Sequence, residues 1–319
     1  MRKKVLITNL DSYIGQELIS KIRHKSYDLF AFYPSGKVTD CYAGIKDKVS
    51  LIPLTIDNTL ILKKHLALNK YDTIIHIPEF HTRRSNNRVT GRVANVFATQ
   101  QIIEYCLLTE ATLIYCSSVS IYGNTPFELP SHDLSEKIVF GYRAKMVAEI
   151  ESLIEQNRLK GLQAVILRPS LLYGVQSKGF VRTLIKLVKL NLLPTINQRI
   201  FIHLCNINLL VSVLEEAITN EKCLGKNYNV ADSEPVILND LINYISKFQR
   251  NKNYKTLLIL NLYIGRNLAN IFYKFKFTYG GYFLERLTHN WFYDIEDLVR
   301  DFTINKIDTI PAISDVIKS

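Results

Sequence analysis

The segment KVLITNLDSYIGQ, residues 4–16, decides how this chain begins to fold. A short β-rich apolar run at residues 5–7 is followed by polar residues, and an apolar pattern at three- and four-residue spacing then starts near residue 13. This order predicts a strand, a tight turn and a helix. Asn9, Ser12 and Gly15 stand three apart within that turn.

A turn of this kind can bind the pyrophosphate of a dinucleotide on the N–H groups at the start of its helix. Glycine suits all three positions because it tolerates positive φ and has no side chain to block the ligand. Only Gly15 remains here, the residue that lets helix and strand pack closely. Asn9 is a mild replacement because asparagine adopts left-handed conformations readily, and Ser12 is small and can donate to phosphate. Alone, this degraded motif is weak evidence for a dinucleotide site.

Beyond this segment, short β-rich runs alternate with helix-period segments, which predicts βαβ units and a parallel sheet. After residue 174 the pattern changes to helices joined by irregular segments. We therefore expect a doubly wound α/β domain over residues 1–174, to which residues 200–220 return, and a smaller, mainly helical domain over residues 175–319. The predicted strands are residues 5–7, 29–32, 73–77, 112–115 and 163–167, and the predicted helices are residues 13–23, 59–68, 89–108, 142–157, 180–192, 209–219 and 238–248.

The composition predicts an ordered globular protein, since 47% of the 319 residues are hydrophobic and 22% are charged. The net charge of +11 suits an acidic ligand, an anionic membrane surface or nucleic acid, although a solvated basic surface explains it equally well. Five widely spaced cysteines form no metal-binding pattern, so we expect reduced thiols in a cytoplasmic protein without a metal site. We expect no signal peptide and no membrane-spanning segment.

Four further motifs follow in a fixed order. They are LIYCSSVSIYG at residues 113–123, KMVAE at 145–149, LRPSLLYG at 167–174 and YNVADSEPV at 228–236. Together they resemble the extended short-chain dehydrogenases/reductases, the NAD-dependent epimerase/dehydratase family that acts on nucleotide sugars. The resemblance runs from residue 5 to about residue 302 and implies a Rossmann-type doubly wound parallel sheet. Residues 178–184 and 193–210 are similar to bacterial 4-epimerases and 4-ketoreductases of N-acetylated UDP-sugars used for surface polysaccharides.

The resemblance implies general acid/base chemistry at an oxygen, coupled to hydride transfer at its carbon. Ser118 matches the serine that hydrogen-bonds the reacting sugar oxygen, and Lys145 matches the lysine that holds the nicotinamide ribose. The catalytic tyrosine is out of register, because Gly141 occupies the position four residues before Lys145. Tyr142 lies three residues before Lys145, and spacings of three and four share one helix face. We therefore predict Ser118, Tyr142 and Lys145 as the catalytic residues.

The remaining predicted site residues also come from the resemblance. The expected cofactor is NAD or NADP, since the second strand ends without an acidic residue and Lys37 suits a 2′-phosphate.

His76 is expected to be a hydrogen-bonded core residue, and Tyr173 either lines the substrate pocket or belongs to a structural turn. A homodimer through helices 89–108 and 142–157 is expected. The cofactor-binding residues are Thr8, Asn9, Ser12, Tyr13, Ile14, Gly15, Asp57 and Lys145, and the substrate-binding residues are Ser118, Tyr173, Arg199 and Asn206.

Three hypotheses on function stay open. The first is a nucleotide-sugar 4-epimerase or 4-ketoreductase. The second is a catalytically silent relative that acts as a nucleotide-binding sensor or scaffold, which the replacements at residues 9, 12 and 141 favour. The third is a binder of anionic surfaces through residues 182–189 and 256–277, where the latter run would form an amphipathic helix on a membrane or a domain-packing helix.

Overall fold

A computed structural model describes residues 2–22, 26–34, 47–56, 58–78, 88–123, 141–256, 258–275 and 277–319. Its strands are β1 (Lys3–Ile7), β2 (Tyr27–Tyr33), β3 (Ser50–Pro53), β4 (Thr73–His76), β5 (Thr112–Cys116), β6 (Ala164–Pro169), β7 (Leu171–Tyr173), β8 (Thr195–Ile196), β9 (Phe201–Ile202), β10 (Leu204–Asn206), β11 (Asn227–Val230), β12 (Val236–Ile237) and β13 (Ile259–Leu260). Its helices are α1 (Tyr13–Lys21), α2 (Thr59–Leu68), α3 (Arg88–Thr109), α4 (Gly141–Arg158), α5 (Phe180–Lys189), α6 (Ile207–Ala217), α7 (Leu238–Arg250), α8 (Leu262–Lys274), α9 (Thr278–Thr288), α10 (Glu296–Asp301) and α11 (Thr309–Lys318).

Seven parallel strands form the central sheet in the order β11-β6-β5-β4-β1-β2-β3. Chain order reverses between β1 and β4, which places a crevice beyond the carboxyl ends of these two strands. Strands β1, β2, β4, β5 and β6 and helices α1 to α4 lie where the sequence predicts, within a few residues, whereas β3 was not predicted. The predicted Rossmann-type α/β fold is confirmed.

Alternate residues of each strand pack on opposite faces of the sheet. Val5 and Ile7 join the cluster beneath α1 and α6, whereas Leu6 joins the cluster beneath α2, α3 and α4. The same alternation recurs in β5, where Ile114 and Leu113 face opposite sides. Both faces are therefore covered by helices, as a buried parallel sheet requires.

After residue 205 the chain packs on the central sheet again. Helix α6 packs against α1, strand β11 pairs with β6 at the sheet edge, and α10 lies against β11. Residues of α6, β11 and α10 accordingly share a core cluster with β1 and α1. Strand β11 was not predicted as a strand, because its sequence NYNV carries two polar asparagines in place of a continuous apolar run.

A separate core cluster unites α5, α7, α8, α9 and α11 with the short strands around them. The run at 256–277 is not one helix, since β13 occupies residues 259–260 and α8 follows. Helix α8 packs closely on α9, where a Cβ on Gly281 would lie 3.1 Å from the Ala269 carbonyl oxygen. For residues 256–277 these contacts favour a packing helix over an amphipathic helix on a membrane. No helix in the described ranges has the length and apolar character needed to span a bilayer.

Asp232 joins three elements, the strands β7 and β10 and the helix α11. Its fully buried carboxylate accepts hydrogen bonds from the Tyr173 hydroxyl at 2.7 Å, the Thr309 hydroxyl at 2.6 Å and the Asn206 N–H at 2.8 Å. Burial raises the pKa of this carboxyl to about 6 in spite of these donors. At neutral pH the Asp232 carboxylate is charged, and its burial then carries a desolvation cost that the protonated carboxyl does not have.

The substitution Asp232→Asn tests that cost. A carboxyl whose pKa is raised in the folded state takes up a proton on folding, so its contribution to stability is largest below pH 4 and is lost as the pH rises through about 6. We expect the free energy of unfolding of wild type relative to Asp232→Asn to fall by about 2.5 kcal/mol between pH 4 and pH 7.5. Urea unfolding at both pH values measures this difference, and a constant difference would contradict the assignment.

Candidate active site

The turn after β1 is closed by its own side chains. Ser12 caps α1, since its Oγ accepts from the Gly15 N–H at 2.9 Å and donates to the Asn9 carbonyl at 2.8 Å. A Cβ on Gly15 would lie 2.1 Å from that same carbonyl oxygen, so only glycine fits there. Asn9 does not adopt positive φ. The expectation that it would supply a left-handed residue is therefore wrong, because the turn closes without one.

This turn has the shape that a dinucleotide pyrophosphate needs. The Tyr13 and Ile14 N–H groups are in the first turn of α1 and have no intrahelical acceptor. The glycine contact at residue 15 brings them to the carboxyl end of β1, next to the crevice. A Cβ on Gly174 would lie 2.2 Å from the Tyr13 hydroxyl, so the Tyr13 ring packs against the chain directly after β7, and burial raises the pKa of Tyr13 to about 12.

Thr8 and His76 form a closed hydrogen-bond chain across β1, β4 and α3. The Thr8 hydroxyl bonds His76 Nδ1 at 3.0 Å, and His76 Nε2 bonds the Thr99 hydroxyl at 2.9 Å. The Thr99 hydroxyl donates onward to the Asn95 carbonyl at 2.7 Å. Complete burial lowers the pKa of His76 to about 3, so the ring is neutral. These residues fix the floor of the crevice, and the Thr8 side chain is committed to this chain.

Ser118 follows β5 and begins a one-turn 3₁₀ helix at residues 119–122. Its Oγ accepts from the Ser120 N–H at 3.2 Å, which caps the turn and leaves its own proton for a ligand. The side chain is 8% exposed. Ser118 therefore lies at the carboxyl edge of the sheet with a hydroxyl proton still to donate.

A buried ion pair holds this turn against α4. Arg168 on β6 donates to Glu151 on α4 through two nitrogens, at 3.0 and 2.9 Å, and both side chains are at most 1% exposed. Ser117 donates to the same Glu151 carboxylate at 2.5 Å, and Arg168 also donates to the Tyr122 hydroxyl at 2.8 Å. The Tyr122 hydroxyl donates to Asn229 on β11 at 2.9 Å. Both ends of the turn that carries Ser118 are thus bonded to this pair.

The amino end of α4 carries two of the three predicted catalytic residues, Tyr142 and Lys145. Lys145 is exposed and makes no hydrogen bond or ion pair with any residue in the described ranges. Gly141 shares its face, four residues earlier, and brings no side chain to it. Successive residues of an α-helix are rotated by about 100° around the helix axis and rise about 1.5 Å along it. Tyr142 therefore points about 100° away from the direction of Gly141. The tyrosine is near the matching position without occupying it.

Tyr142 lies on the α3 side of this helix end, within electrostatic range of Arg92. Partial burial raises its pKa, and the Arg92 charge opposes that rise only in part. Its hydroxyl forms no hydrogen bond with a residue that the structure describes. About two turns further along α4, Glu149 pairs with Arg92 at 3.4 Å and ties α4 to α3. To act as a general acid and base, Tyr142 therefore needs a ligand or cofactor that lowers its pKa.

The predicted substrate residues are dispersed. Tyr173 is fully buried and its hydroxyl is committed to Asp232. Asn206 caps α6 by accepting from the Asn208 N–H at 2.9 Å. Only Arg199 is exposed, with its guanidinium 5.1 Å from the Phe201 ring centroid. Tyr173 and Asn206 thus make structural contacts. For Tyr173 this favours a structural turn over a position that lines the substrate pocket.

Two residues that the sequence analysis connected with the cofactor, Lys37 and Asp57, lie outside the described ranges.

A polar cavity of about 440 Å³ is present near Arg158 and Lys226, but these residues lie at the amino ends of β6 and β11. Nucleotides bind at the carboxyl ends of parallel strands in this architecture. That cavity is therefore on the opposite edge from the candidate site.

Sequence analysis missed the aromatic and arginine residues that line the smaller domain's side of this region. Arg286 on α9 is 4% exposed, with its guanidinium 3.5 Å from the Trp291 ring centroid and 4.5 Å from that of Tyr282. Arg143, two residues after Gly141, is within electrostatic range of Arg286. The residues around 286 carry no motif that the sequence analysis used, so nothing in the sequence pointed to them.

The sheet order, the crevice between β1 and β4 and the capped turn at residue 12 define a Rossmann-type α/β protein. A sequence model of the NAD dependent epimerase/dehydratase family matches residues 5–199. The chain belongs to this family, whose members are NAD-dependent enzymes of the extended short-chain dehydrogenase/reductase type. No curated protein matches the sequence significantly.

Solved structures share the fold at low sequence identity. WbmG of Bordetella bronchiseptica, solved with NAD and UDP, has a TM-score of 0.78 and 12% identity over 100% of this chain and 94% of that one. UDP-glucose 4-epimerase of Thermotoga maritima, solved with UDP-glucose, has a TM-score of 0.73 and 12% identity over 99% and 97%. The dTDP-glucose 4,6-dehydratase of Bacillus anthracis, solved with NAD, has a TM-score of 0.74 and 13% identity over 99% and 96%.

The close contact at Gly15 predicts that the turn fails when a methyl group is added. Gly15→Ala has to push the Asn9 carbonyl and the start of α1 apart, so we expect a loss of about 1–3 kcal/mol in stability. NAD binding should be lost to calorimetry at millimolar concentration. Gly179→Ala is the matched control, because its Cβ would meet nothing closer than 3.9 Å. Equal behaviour of the two variants would contradict this account of the turn.

The Glu151–Arg168 pair predicts a large penalty when one partner is removed. Glu151→Gln leaves the buried guanidinium without its counter-charge, and we expect the free energy of unfolding to fall by about 3 kcal/mol or more. The exposed pair of Lys318 with Asp315 is the control, and Asp315→Asn should change stability by less than about 0.5 kcal/mol. Urea unfolding of both variants at pH 7 measures the contrast. Similar losses would show that the buried pair is dispensable.

Proposed function

We propose that the protein is an NAD(P)-dependent nucleotide-sugar epimerase or 4-ketoreductase that acts on a UDP-N-acetyl sugar for surface polysaccharide synthesis. The observation that carries this proposal is the common placement of Ser118 and Lys145. Both stand at the carboxyl edge of the sheet, on elements that Glu151 and Arg168 lock together. The β1–α1 turn opens at the same edge. One ligand that spans this edge can meet all three groups.

Each residue has a distinct role in this proposal. The turn at residues 8–15 binds the pyrophosphate through the first N–H groups of α1, and Lys145 binds the nicotinamide ribose. The nicotinamide supplies hydride exchange at the sugar carbon when it is bound. Ser118 donates its free proton to the sugar oxygen on that carbon. Tyr142 exchanges a proton with the same oxygen.

Charge supports a diphosphate ligand. Both the cofactor and a UDP-sugar carry a diphosphate, which the net charge of +11 attracts. Arg199 is the exposed member of the predicted substrate residues and is the one that remains accessible to a substrate diphosphate. WbmG, with the same fold, is solved with UDP, which supports a uridine nucleotide as the first ligand to test.

A second candidate is a catalytically silent protein that binds a nucleotide and acts as a sensor or scaffold. The observation that favours it is Gly141, which leaves the position four residues before Lys145 without a hydroxyl. Calorimetry separates the two candidates in part. A protein that binds neither NAD(H) nor NADP(H) at millimolar concentration cannot perform the hydride chemistry, and the silent reading then becomes the better one.

We also infer a homodimer and a cytoplasmic location. Phe97 and Val93 on α3 are 55% and 42% exposed, and a helix face of this kind on a monomer supports burial against a second copy. Four described cysteines are free and buried, which supports a reducing compartment. Sedimentation equilibrium of wild type and Phe97→Lys would test the dimer directly.

Substitution of Tyr142 tests the catalytic assignment. Tyr142→Phe removes only the hydroxyl, so NAD(H) affinity should stay within about twofold while kcat/KM on the nucleotide sugar falls by about 10²–10⁴. Tyr244→Phe, on α7 of the smaller domain, is the matched control and should keep full activity. An active Tyr142→Phe enzyme would show that another group moves the proton.

A further inference from the structure

An exposed apolar stripe runs along one flank of α8. Ile264, Ile271 and Phe275 follow one another at helical spacing on one side of the helix, and they are 57%, 48% and 77% exposed. The side that packs on α9 is a different one, which includes Gly265 and Ala269. Packing on α9 therefore uses one side of α8 and leaves a second apolar side in contact with water.

The chain at both ends of α8 extends this stripe. Leu258 and Ile259 are exposed directly before the helix, and Phe277 and Tyr279 are exposed where α9 begins. A single exposed apolar side chain is ordinary, whereas a set gathered along one segment marks a surface that binds a membrane or another molecule. We call this set the α8 face, and its members are Leu258, Ile259, Ile264, Ile271, Phe275, Phe277 and Tyr279.

The chain that carries the α8 face has positive charges and no negative ones. Residues 241–284 contain seven Lys and Arg residues and no Asp or Glu, and residues 175–204, which include α5, contain five and none. The two stretches meet where the hydroxyls of Thr183 and Tyr279 share a hydrogen bond at 2.6 Å. Lys186 lies on the same side of α5 as Thr183, three residues earlier. An anionic surface that approaches the α8 face therefore meets no carboxylate from either stretch.

We propose that the α8 face docks the protein on an anionic lipid bilayer as a peripheral contact. Helix α8 does so as a packed part of the fold, not as a free amphipathic helix. The exposed apolar and aromatic side chains enter the boundary between headgroups and acyl chains, and the lysines around them lie against the lipid phosphates. Lys255 and Lys274, exposed before and at the end of α8, are two of these lysines. This inference goes beyond the proposed function and depends on neither the cofactor nor the sugar.

Charge and side-chain type favour a bilayer over the other occupants of such a face. A symmetric dimer through it would set the same positive stretches against each other. Nucleic acids bind cationic side chains through phosphates and flat aromatic rings through bases, so exposed Ile and Leu side chains have no partner there. A bilayer with anionic headgroups provides a partner for the lysines, the aromatic rings and the aliphatic side chains together.

Co-sedimentation with vesicles tests the proposal. Full-length protein is mixed with vesicles of phosphatidylcholine alone or of phosphatidylcholine and phosphatidylglycerol in equal parts. We expect wild type to bind the anionic vesicles at least about tenfold more tightly than the neutral ones, and to lose this preference near about 1 M salt.

Two double variants separate the apolar and the charged contributions. Ile271→Gln with Phe275→Gln should weaken binding to anionic vesicles by about tenfold or more, because these two side chains no longer transfer from water into the bilayer. Lys255→Gln with Lys274→Gln should weaken it by about tenfold, because two contacts with lipid phosphate are lost. All four side chains are exposed, so thermal melting should show both variants to be as stable as wild type.

Helix α2 supplies matched controls. Leu60 and Leu68 are 66% and 84% exposed, and Leu60→Gln with Leu68→Gln should bind vesicles as wild type does. Lys63→Gln with Lys64→Gln makes the same change of charge on the exposed side of α2 and should also leave binding unchanged.

Three results would overturn the docking. Wild type could fail to co-sediment with anionic vesicles at low salt, or the α2 variants could lose as much binding as the α8 variants. Sedimentation equilibrium without vesicles could show that wild type associates and that Ile271→Gln with Phe275→Gln does not, which would assign the α8 face to a second copy. No nucleotide or sugar is present in these measurements, so each of the three results leaves the proposed enzyme function standing.

Discussion

The arrangement of the candidate site depends on one ion pair, Glu151 with Arg168. Neither side chain reaches solvent, so each is retained only because the other neutralises it and because Ser117 and Tyr122 satisfy part of the remaining hydrogen-bonding capacity. The pair connects α4 to β6 and to the turn after β5, and through Tyr122 it reaches β11. Four elements that are far apart in sequence are thereby fixed in register at the edge where a ligand would bind.

This register explains both what the site keeps and what it has lost. With Glu151 held, the first turn of α4 is not free to rotate as a unit, so the bare position at Gly141 and the hydroxyl of Tyr142 stay about 100° apart on the helix. The β1–α1 turn has changed differently. Ser12 replaces the conformational freedom of glycine with a side-chain cap, and the turn keeps its shape at every residue in an ordinary conformation. The missing glycine at residue 12 is compensated by the hydrogen bonds of Ser12. The missing tyrosine at residue 141 is compensated only if ligand binding moves Tyr142.

Sequence patterns were sufficient for the first domain because its strands are buried on both faces and its helices have one apolar face. Strands such as β4 and β5 therefore read as continuous apolar runs. The patterns failed where the determinants are not local. Strand β11 contains polar residues because Asn229 pairs with Tyr122, and β3 is a short edge strand with a terminal proline. Among site residues, Ser118 and Lys145 stand in motifs, whereas Arg286 acquires its environment only through tertiary contacts that no spacing encodes.

The return of the chain to its first domain also determines when that domain can be completed during synthesis. Strand β11 supplies the last strand of the sheet, and α10 covers it with residues as late as 301 of 319. A ribosome has thus made the chain as far as residue 301 before the central sheet can close its hydrophobic core. Until then β6 remains an open sheet edge and the face below α1 lacks α6, so the nascent chain presents an unpaired strand and apolar surface to its surroundings. The central sheet consequently matures only after the segment between β6 and β11 has also been made.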